Sequence, residues 1–272
     1  MQNIIVPVDF SEQSEYALKT AASLAKKFDS GVIVLHMLEL SSTMISSEGM
    51  GQQQIVLLLK ASENRLSKFL DKPYLKGINV TPIIKHYKVF SEVNEIAKDQ
   101  EAGLIVMGSH GVDGLKEFFV GSNTERVVRH AEIPVLVVKE EMQDFKPKTM
   151  VFPSDFVEED LEAFKKAKNF AEEMSLEIQL VYVNTPDTNF LSTDDAYDRI
   201  LKFLSAANVG MEVEIYNDYS VEKGILNYGE SISADMIGIP THGRKGLSHF
   251  FMGSIGEDIA NHSKIPVVTF KI

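Results

Sequence analysis

The sequence predicts an α/β protein of two tandem five-stranded parallel sheets, each with helices on both faces. Three observations carry that reading: short apolar runs alternate with segments of helical period, the alternation occurs twice, and the same motifs recur in the same order. Asn3-Ile-Ile-Val-Pro-Val-Asp-Phe10 returns as Thr149-Met-Val-Phe-Pro-Ser-Asp-Phe156, at an offset of 146. Gly108-Ser-His-Gly111 with Gly121-Ser122 returns as Pro240-Thr-His-Gly243 with Gly253-Ser254, at an offset of 132. Ile133-Pro-Val-Leu-Val137 returns as Ile265-Pro-Val-Val-Thr269 at that same 132. The second copy is therefore about 14 residues shorter, and the Ser-, Gly- and Gln-rich residues 41–54 are the natural place for the difference. A unit of well over a hundred residues is a duplicated domain, not a solenoid repeat. The charged stretch 140–148, with Pro147, marks the boundary, so the domains are expected at residues 1–141 and 149–272.

The elements follow in order. Residues 4–8 read as a buried strand, and 11–28 as a helix with Tyr16, Ala17, Leu18, Ala21, Leu24, Ala25 and Phe28 at three- and four-residue spacing. Ser11 is placed to cap that helix and Gly31 to end it. Strands are expected at 32–37, 80–87, 104–107 and 134–138, and helices at 54–70, 91–100 and 123–130. The second half repeats the order with strands at 149–153, 178–183, 212–216, 236–239 and 266–270, and helices at 158–174, 194–208, 221–233 and 255–262. Near-continuous apolar strands fit a parallel sheet covered on both sides. Ligands in such sheets sit at the carboxyl ends of the strands, near a topological switch point. Asp9 and the Gly108–Ser122 motif both fall at such ends.

Composition narrows the function. The 272 residues contain no cysteine, which removes disulfides, thiolate metal sites and cysteine nucleophiles, and fits a reducing compartment. A formal net charge of -12 argues against non-specific nucleic-acid binding. Met1-Gln2-Asn3 runs straight into apolar residues without a basic leader, and no apolar run is long enough to span a bilayer. A cytoplasmic protein without a membrane partner is the expectation.

The motif from Gly108 to Ser122 has the spacing Gly-x2-Gly-x9-Gly-Ser, followed by a helix. It is neither a P-loop nor the dinucleotide fingerprint. Its physics is nonetheless that of an anion cradle. Glycines let successive N–H groups turn inward, and Gly121-Ser122 leads to a helix N-terminus whose free N–H groups and dipole favour negative charge. The Ser122 hydroxyl adds a donor. Each charge-assisted hydrogen bond contributes about 1.5–3 kcal/mol, so a few suffice for a phosphate chain. Glycines that merely turn the chain are the competing reading.

Pro7-Val-Asp-Phe-Ser11, Gly108-Ser-His-Gly111, Gly121-Ser122 and Glu125-Arg126-Val127 leading to Ile133-Pro-Val-Leu-Val-Val138 resemble the universal stress protein family, in tandem form. The resemblance covers nearly the whole chain, once per half. It implies a Rossmann-like, adenine-nucleotide-binding fold, with ATP, accompanied by magnesium, held at the glycine loop. Asp9, after Pro7 and Val8, would contact the adenosine; Met37 would meet the base through its backbone; Met107 would flank the pocket. Gly108, Gly111, Gly121, Ser122 and Asn123 would hold ribose and phosphates, with His110 inside the same loop. Family members also pair through the last strand, so residues 135–138 and 267–270 are expected to pair within this chain as a pseudo-dimer. Last-strand edges are also the expected route to a further copy or a protein partner.

The halves are unequal. Pro240 stands for Gly108 and lacks an N–H, Ile255 stands for Asn123, and Asp258 stands for Arg126, while Arg244-Lys245 replace Val112-Asp113. The expectation is ATP in the first half and a degenerate second half. His110 and His242 read as caps of loop backbone groups, not as general bases. Glu158-Glu159-Asp160 and Asp194-Asp195 read as helix-start acids that complement the dipole. No His spacing suggests zinc. His36 reads as a satisfied core or pocket-wall residue. Met44, Ile45 and Met50 fit either a lid over the base or a loose connection. No residue stands out to orient attacking water and no arginine finger is evident, so hydrolysis is slow at most. The leading expectation is a nucleotide-responsive stress-response module; a nucleotide-free scaffold is the alternative.

Overall fold

The computed structural model describes residues 2–38, 52–86, 89–109, 122–186, 190–241, 259 and 262–271. They form two compact units. The first holds the described residues up to 109 together with 122–130 and 138–146; the second holds 131–137 and those from 147 onward. Ten strands, parallel to their neighbours at every described pairing but one, make this an α/β fold.

In the first unit β1 (Asn3–Val8) leads through α1 (Glu12–Phe28) to β2 (Gly31–Leu38). There follow α2 (Gln52–Leu70), a short 3-10 turn at Pro73–Leu75, β3 (Val80–His86), α3 (Val89–Asp99), β4 (Ala102–Gly108) and α4 (Ser122–His130). The strand order is β3-β2-β1-β4. β1 is central, and its Ile4, Ile5 and Val6 are fully buried. Pro82 lies in β3, an edge strand, where its missing N–H takes nothing from an interior ladder.

Ser11 caps α1, accepting from the Ser14 N–H, while Glu12 and Glu15 open the helix and Lys26 and Lys27 close it, in line with the dipole. The helix does not end at Gly31. It ends at Asp29 in the left-handed conformation, whose N–H returns to the Ala25 carbonyl. Gly31 instead opens β2, where a Cβ would crowd the Asn3 side chain.

β5 (Val135–Val138) precedes the second repeat, which runs β6 (Thr149–Pro153), a 3-10 turn at Glu158–Asp160, α5 (Leu161–Met174), β7 (Glu177–Asn184), α6 (Thr193–Ala207), β8 (Val213–Asn217), α7 (Val221–Ser231), β9 (Met236–Thr241) and β10 (Val267–Lys271). Its strand order is β5-β10-β9-β6-β7-β8. β5 and β10 pair antiparallel, with Val137 opposite Val267 and Val135 opposite Thr269. The expected pairing of the last strands is therefore present. Its consequence corrects the expected partner route: β10 is hydrogen-bonded to β5 and β9 and offers no edge, whereas β8 is the terminal strand. The core of this unit is aromatic. Phe152 sits with ring centroids 5.9 Å from Phe164 and 6.3 Å from Phe270, and Phe170 lies 5.5 Å from Phe270. The expected helix at 255–262 falls almost wholly outside the described residues, as do Met44, Ile45 and Met50. Among the described residues no helix is long and apolar enough to cross a membrane.

Candidate functional site

The site is built by three neighbouring strands. β1 and β2 run level, with Pro7 opposite Leu35 and Val8 opposite His36. On the other side Ile5 is opposite Ile105, a register that carries Met107 and Gly108 on towards Pro7 and Val8. Asp9, Met37 and Gly108 thus come together at the carboxyl end of β2-β1-β4.

Asp9 is held by the start of α1. Its Oδ1 accepts from the Ser11 N–H at 3.0 Å and the Ser11 hydroxyl at 2.5 Å, and Ser14 in turn donates its N–H to Ser11 Oγ at 3.1 Å. Between them Phe10 adopts φ 67°, a left-handed conformation rare for a bulky side chain. Its neighbours hold it there: the Phe10 ring lies 4.3 Å from His36 and 5.5 Å from Phe69, and the Arg65 guanidinium lies 4.3 Å from its centroid. His36 sits 2.9 Å by Nδ1 from the Val8 carbonyl, so it donates from that nitrogen. Burial pushes its pKa below the ordinary value, and Arg65 pushes the same way. His36 is a neutral wall residue.

Met107 is buried and Met37 is partly exposed. Gly108 has a structural reason to be glycine: a Cβ would lie 2.7 Å from both the carbonyl carbon and the oxygen of Gln13, in the first turn of α1. The Gly108 carbonyl accepts the buried Thr124 hydroxyl at 2.8 Å, which ties α4 to the end of β4. The Ser109 N–H is used internally, donating to the Val138 carbonyl at 3.0 Å. Ser122 is the first residue of α4 and Asn123 is exposed on it. His110, Gly111 and Gly121 lie outside the described residues, as do His242, Arg244, Lys245, Ile255 and Asp258. A cavity of about 530 Å³, lined in part by Asn3, Asp29, Gly31 and Asn79, opens at the opposite end of β1 and β2, away from this chemistry.

The second unit repeats the frame with other chemistry. Phe156, the counterpart of Phe10, has φ 54° and packs 5.2 Å from Phe203 and 6.5 Å from Tyr182. Asp160 stands at the start of α5, as expected, but its carboxylate caps no N–H of that helix and turns back into the preceding turn. It is buried, and its Oδ2 accepts the Ser154 hydroxyl at 2.8 Å and the Asp155 N–H at 3.2 Å. Asp195 does serve a helix start, exchanging hydrogen bonds with the cap Ser192. Pro240 is buried in β9 opposite Phe270. Among the described residues no group of three or more His, Asp or Glu side chains could hold a metal ion.

Sequence reasoning singled out Asp9, Met37 and Gly108 but passed over Phe10, Arg65, Phe69 and Thr124. One signal was available: Arg65 and Phe69 return as Arg199 and Phe203 at a common offset of 134.

A duplicated parallel α/β unit with an acidic residue after the first strand of each copy defines a tandem Rossmann-like protein. Residues 1–139 and 146–271 each match the Universal stress protein family, and the chain belongs to it. It is 34% identical over 153 residues to universal stress protein MJ0577 of Methanocaldococcus jannaschii, across 51% of this chain and 94% of that protein. It is 32% identical over 139 residues to MJ0531 of the same organism, across 51% of this chain and 82% of that one. A universal stress protein structure from Archaeoglobus fulgidus is similar over 99% of this chain and 96% of its own, with a TM-score of 0.70 and 22% identity. That structure shares the fold over the tandem length.

Proposed function

We propose that the first unit binds ATP and that the protein acts as a nucleotide-responsive stress-response module in the cytoplasm. The observation that carries this is the convergence of Asp9, Met37, Met107 and Gly108 at one end of β2-β1-β4, with α4 tied there through Thr124. The donor set fits the ligand. A carboxylate suits sugar hydroxyls, the strand backbone at Met37 suits an adenine edge, and the start of α4 at Ser122 and Asn123 suits phosphate. The 108–109 backbone contributes little to such a cradle, because the Ser109 N–H and the Gly108 carbonyl are engaged internally. The phosphate donors then come from Gly111, Gly121 and α4. Magnesium would travel with the phosphate oxygens.

Occupancy, not turnover, is the output. His36 commits Nδ1 to the Val8 carbonyl and stays neutral through burial, so it is a wall and not a base for attacking water. The second unit, with Pro240 in place of Gly108, serves as the structural or partner-binding copy. Calorimetric titration of the full chain with magnesium and ATP tests the asymmetry. Gly121→Asp abolishes measurable binding and Gly253→Asp leaves it within about twofold of wild type, a difference below 0.5 kcal/mol. Equal losses from both changes, or no binding by wild type at millimolar ATP, overturn the reading.

A further inference from the structure

The turn after β6 differs from its counterpart after β1 at four positions: Ser154 stands for Val8, Val157 for Ser11, Glu159 for Gln13 and Asp160 for Ser14. The exchange reroutes the hydrogen bonds. Asp9 takes both the N–H and the hydroxyl of Ser11, but Val157 has no hydroxyl to give to Asp155. The donors of the second turn go to Asp160 instead, from the Ser154 hydroxyl and the Asp155 N–H, while the Phe156 N–H donates to Ser154 Oγ at 2.8 Å. The Asp155 carboxyl is left mostly buried, and no described donor is bonded to it. Asp160 acts on it from its own turn and Arg199 from α6.

We propose that Asp155 is a proton-operated latch of the second unit: protonated, it rests beside Asp160 and the turn is closed; ionised, it is driven from Asp160 towards Arg199 and the turn loosens around Phe156. The geometry sets the direction. Two carboxylates sharing one turn repel, and Arg199 is the opposite charge that acts on Asp155 from α6. Phe156 is the element that moves. Its N–H is bonded into the turn, its backbone is left-handed, and its ring rests on Phe203 of α6.

Burial, and then Asp160, push the Asp155 carboxyl up to about 7 from 3.8, against the opposing pull of Arg199. The folded state therefore holds a proton that the unfolded chain has released, and folding weakens as pH rises between those two values and levels off above about 7. The switching range thus falls near neutrality.

The test is urea unfolding of the full chain against its Asp155→Asn variant from pH 5 to 8, with amide exchange at Phe156. Relative to wild type, the variant gains approximately tenfold in folding equilibrium constant per pH unit between 5 and 7 and a constant advantage above. Protection of the Phe156 amide falls across neutrality in wild type and stays level in the variant. Parallel stability profiles, or Phe156 protection that ignores pH in wild type, overturn the latch. If the variant does not fold, carbon-13 titration of the Asp155 carboxyl in wild type decides: a midpoint near 7 upholds the proposal and one below 5 overturns it.

Discussion

Replacing Gly108 by alanine places a methyl group where the end of β4 meets the first turn of α1. The new Cβ would sit 2.7 Å from the Gln13 carbonyl carbon and oxygen and 2.8 Å from Gln13 Cβ. Ordinary contact begins near 3.4 Å, so the helix start must retreat by several tenths of an ångström. Backbone cannot swing aside, and α1 is anchored along its length by fully buried Leu18, Ala21 and Leu24. Overpacking of this kind costs about 1–3 kcal/mol, and here the upper end applies. Gly238→Ala is the matched control. Its Cβ would meet Met150 Sδ at 2.9 Å and Phe270 Cε2 at 3.1 Å, which are side-chain atoms, and a methionine repacks readily. The control belongs at the lower end of the same range. Urea unfolding followed by circular dichroism gives both free energies, and amide exchange along α1 assigns the loss in Gly108→Ala to the first unit. The same shift carries Ser11, and with it Asp9, so the ATP binding proposed for the first unit is expected to weaken in parallel. A Gly108→Ala protein within about 0.5 kcal/mol of wild type, or one less perturbed than Gly238→Ala, would refute the close-approach argument.

Three further outcomes follow from the site. Ser11→Ala removes the α1 cap and the hydroxyl donor to Asp9 while leaving the N–H donor, and costs about 1 kcal/mol in thermal or urea unfolding, with a matching drop expected in the ATP affinity proposed for this unit. Arg65→Ala removes the cation from the Phe10 face and costs about 0.5–1 kcal/mol; a double-mutant cycle with Phe10→Leu reads the coupling, and zero coupling sinks the assignment. His36 titrates below its ordinary 6.5 because it is buried, so between that value and its folded pKa the unfolded chain binds the extra proton. Its contribution is complete above pH 6.5 and is lost as pH falls through the folded value. Unfolding midpoints from pH 5 to 7 should show this slope in wild type and a flatter one in His36→Gln.

Much of the fold was legible because the two periodicities are clean. Apolar runs such as Ile4-Ile5-Val6 become strands buried on both sides, and the three- and four-residue spacing in α1 lies on its buried face. What escaped was the part decided by tertiary contact. Gly31 looked like a helix terminator, since glycine is the common residue at that place; instead Asp29 takes the left-handed position and Gly31 opens β2 beside the Asn3 side chain. Asp160 looked like one more acid at a helix start, because nothing in its neighbours announces that it folds back on Ser154. Asp9, Met37 and Gly108 could be gathered from topology alone, since strand ends converge in a parallel sheet. Arg65 and Phe69 could not, because α2 reaches Phe10 only through packing.

The two units together separate what the fold requires from what a ligand would require. Phe10 and Phe156 are both left-handed, at φ 67° and 54°, and both rest on an aromatic residue of the second helix after the turn, Phe69 of α2 or Phe203 of α6. A conformation retained where the loop glycine has become Pro240 is a property of the strand-to-helix turn, not of a nucleotide. The Asp at the preceding position survives in both copies, but only Asp9 keeps the serine that fixes it; Asp155 has lost that serine to Val157 and gained a second carboxylate at Asp160. The same acid is therefore presented by one turn as a fixed acceptor at the end of β1 and held by the other as a partly buried carboxyl raised towards neutrality. Restoring the pair in the second unit, with Val157→Ser and Asp160→Ser together, should return Asp155 part of the way to ordinary carboxylate behaviour and reduce the stability slope between pH 5 and 7. A double variant that keeps the wild-type slope would show that burial alone, and not the exchanged partners, sets the difference between the two turns.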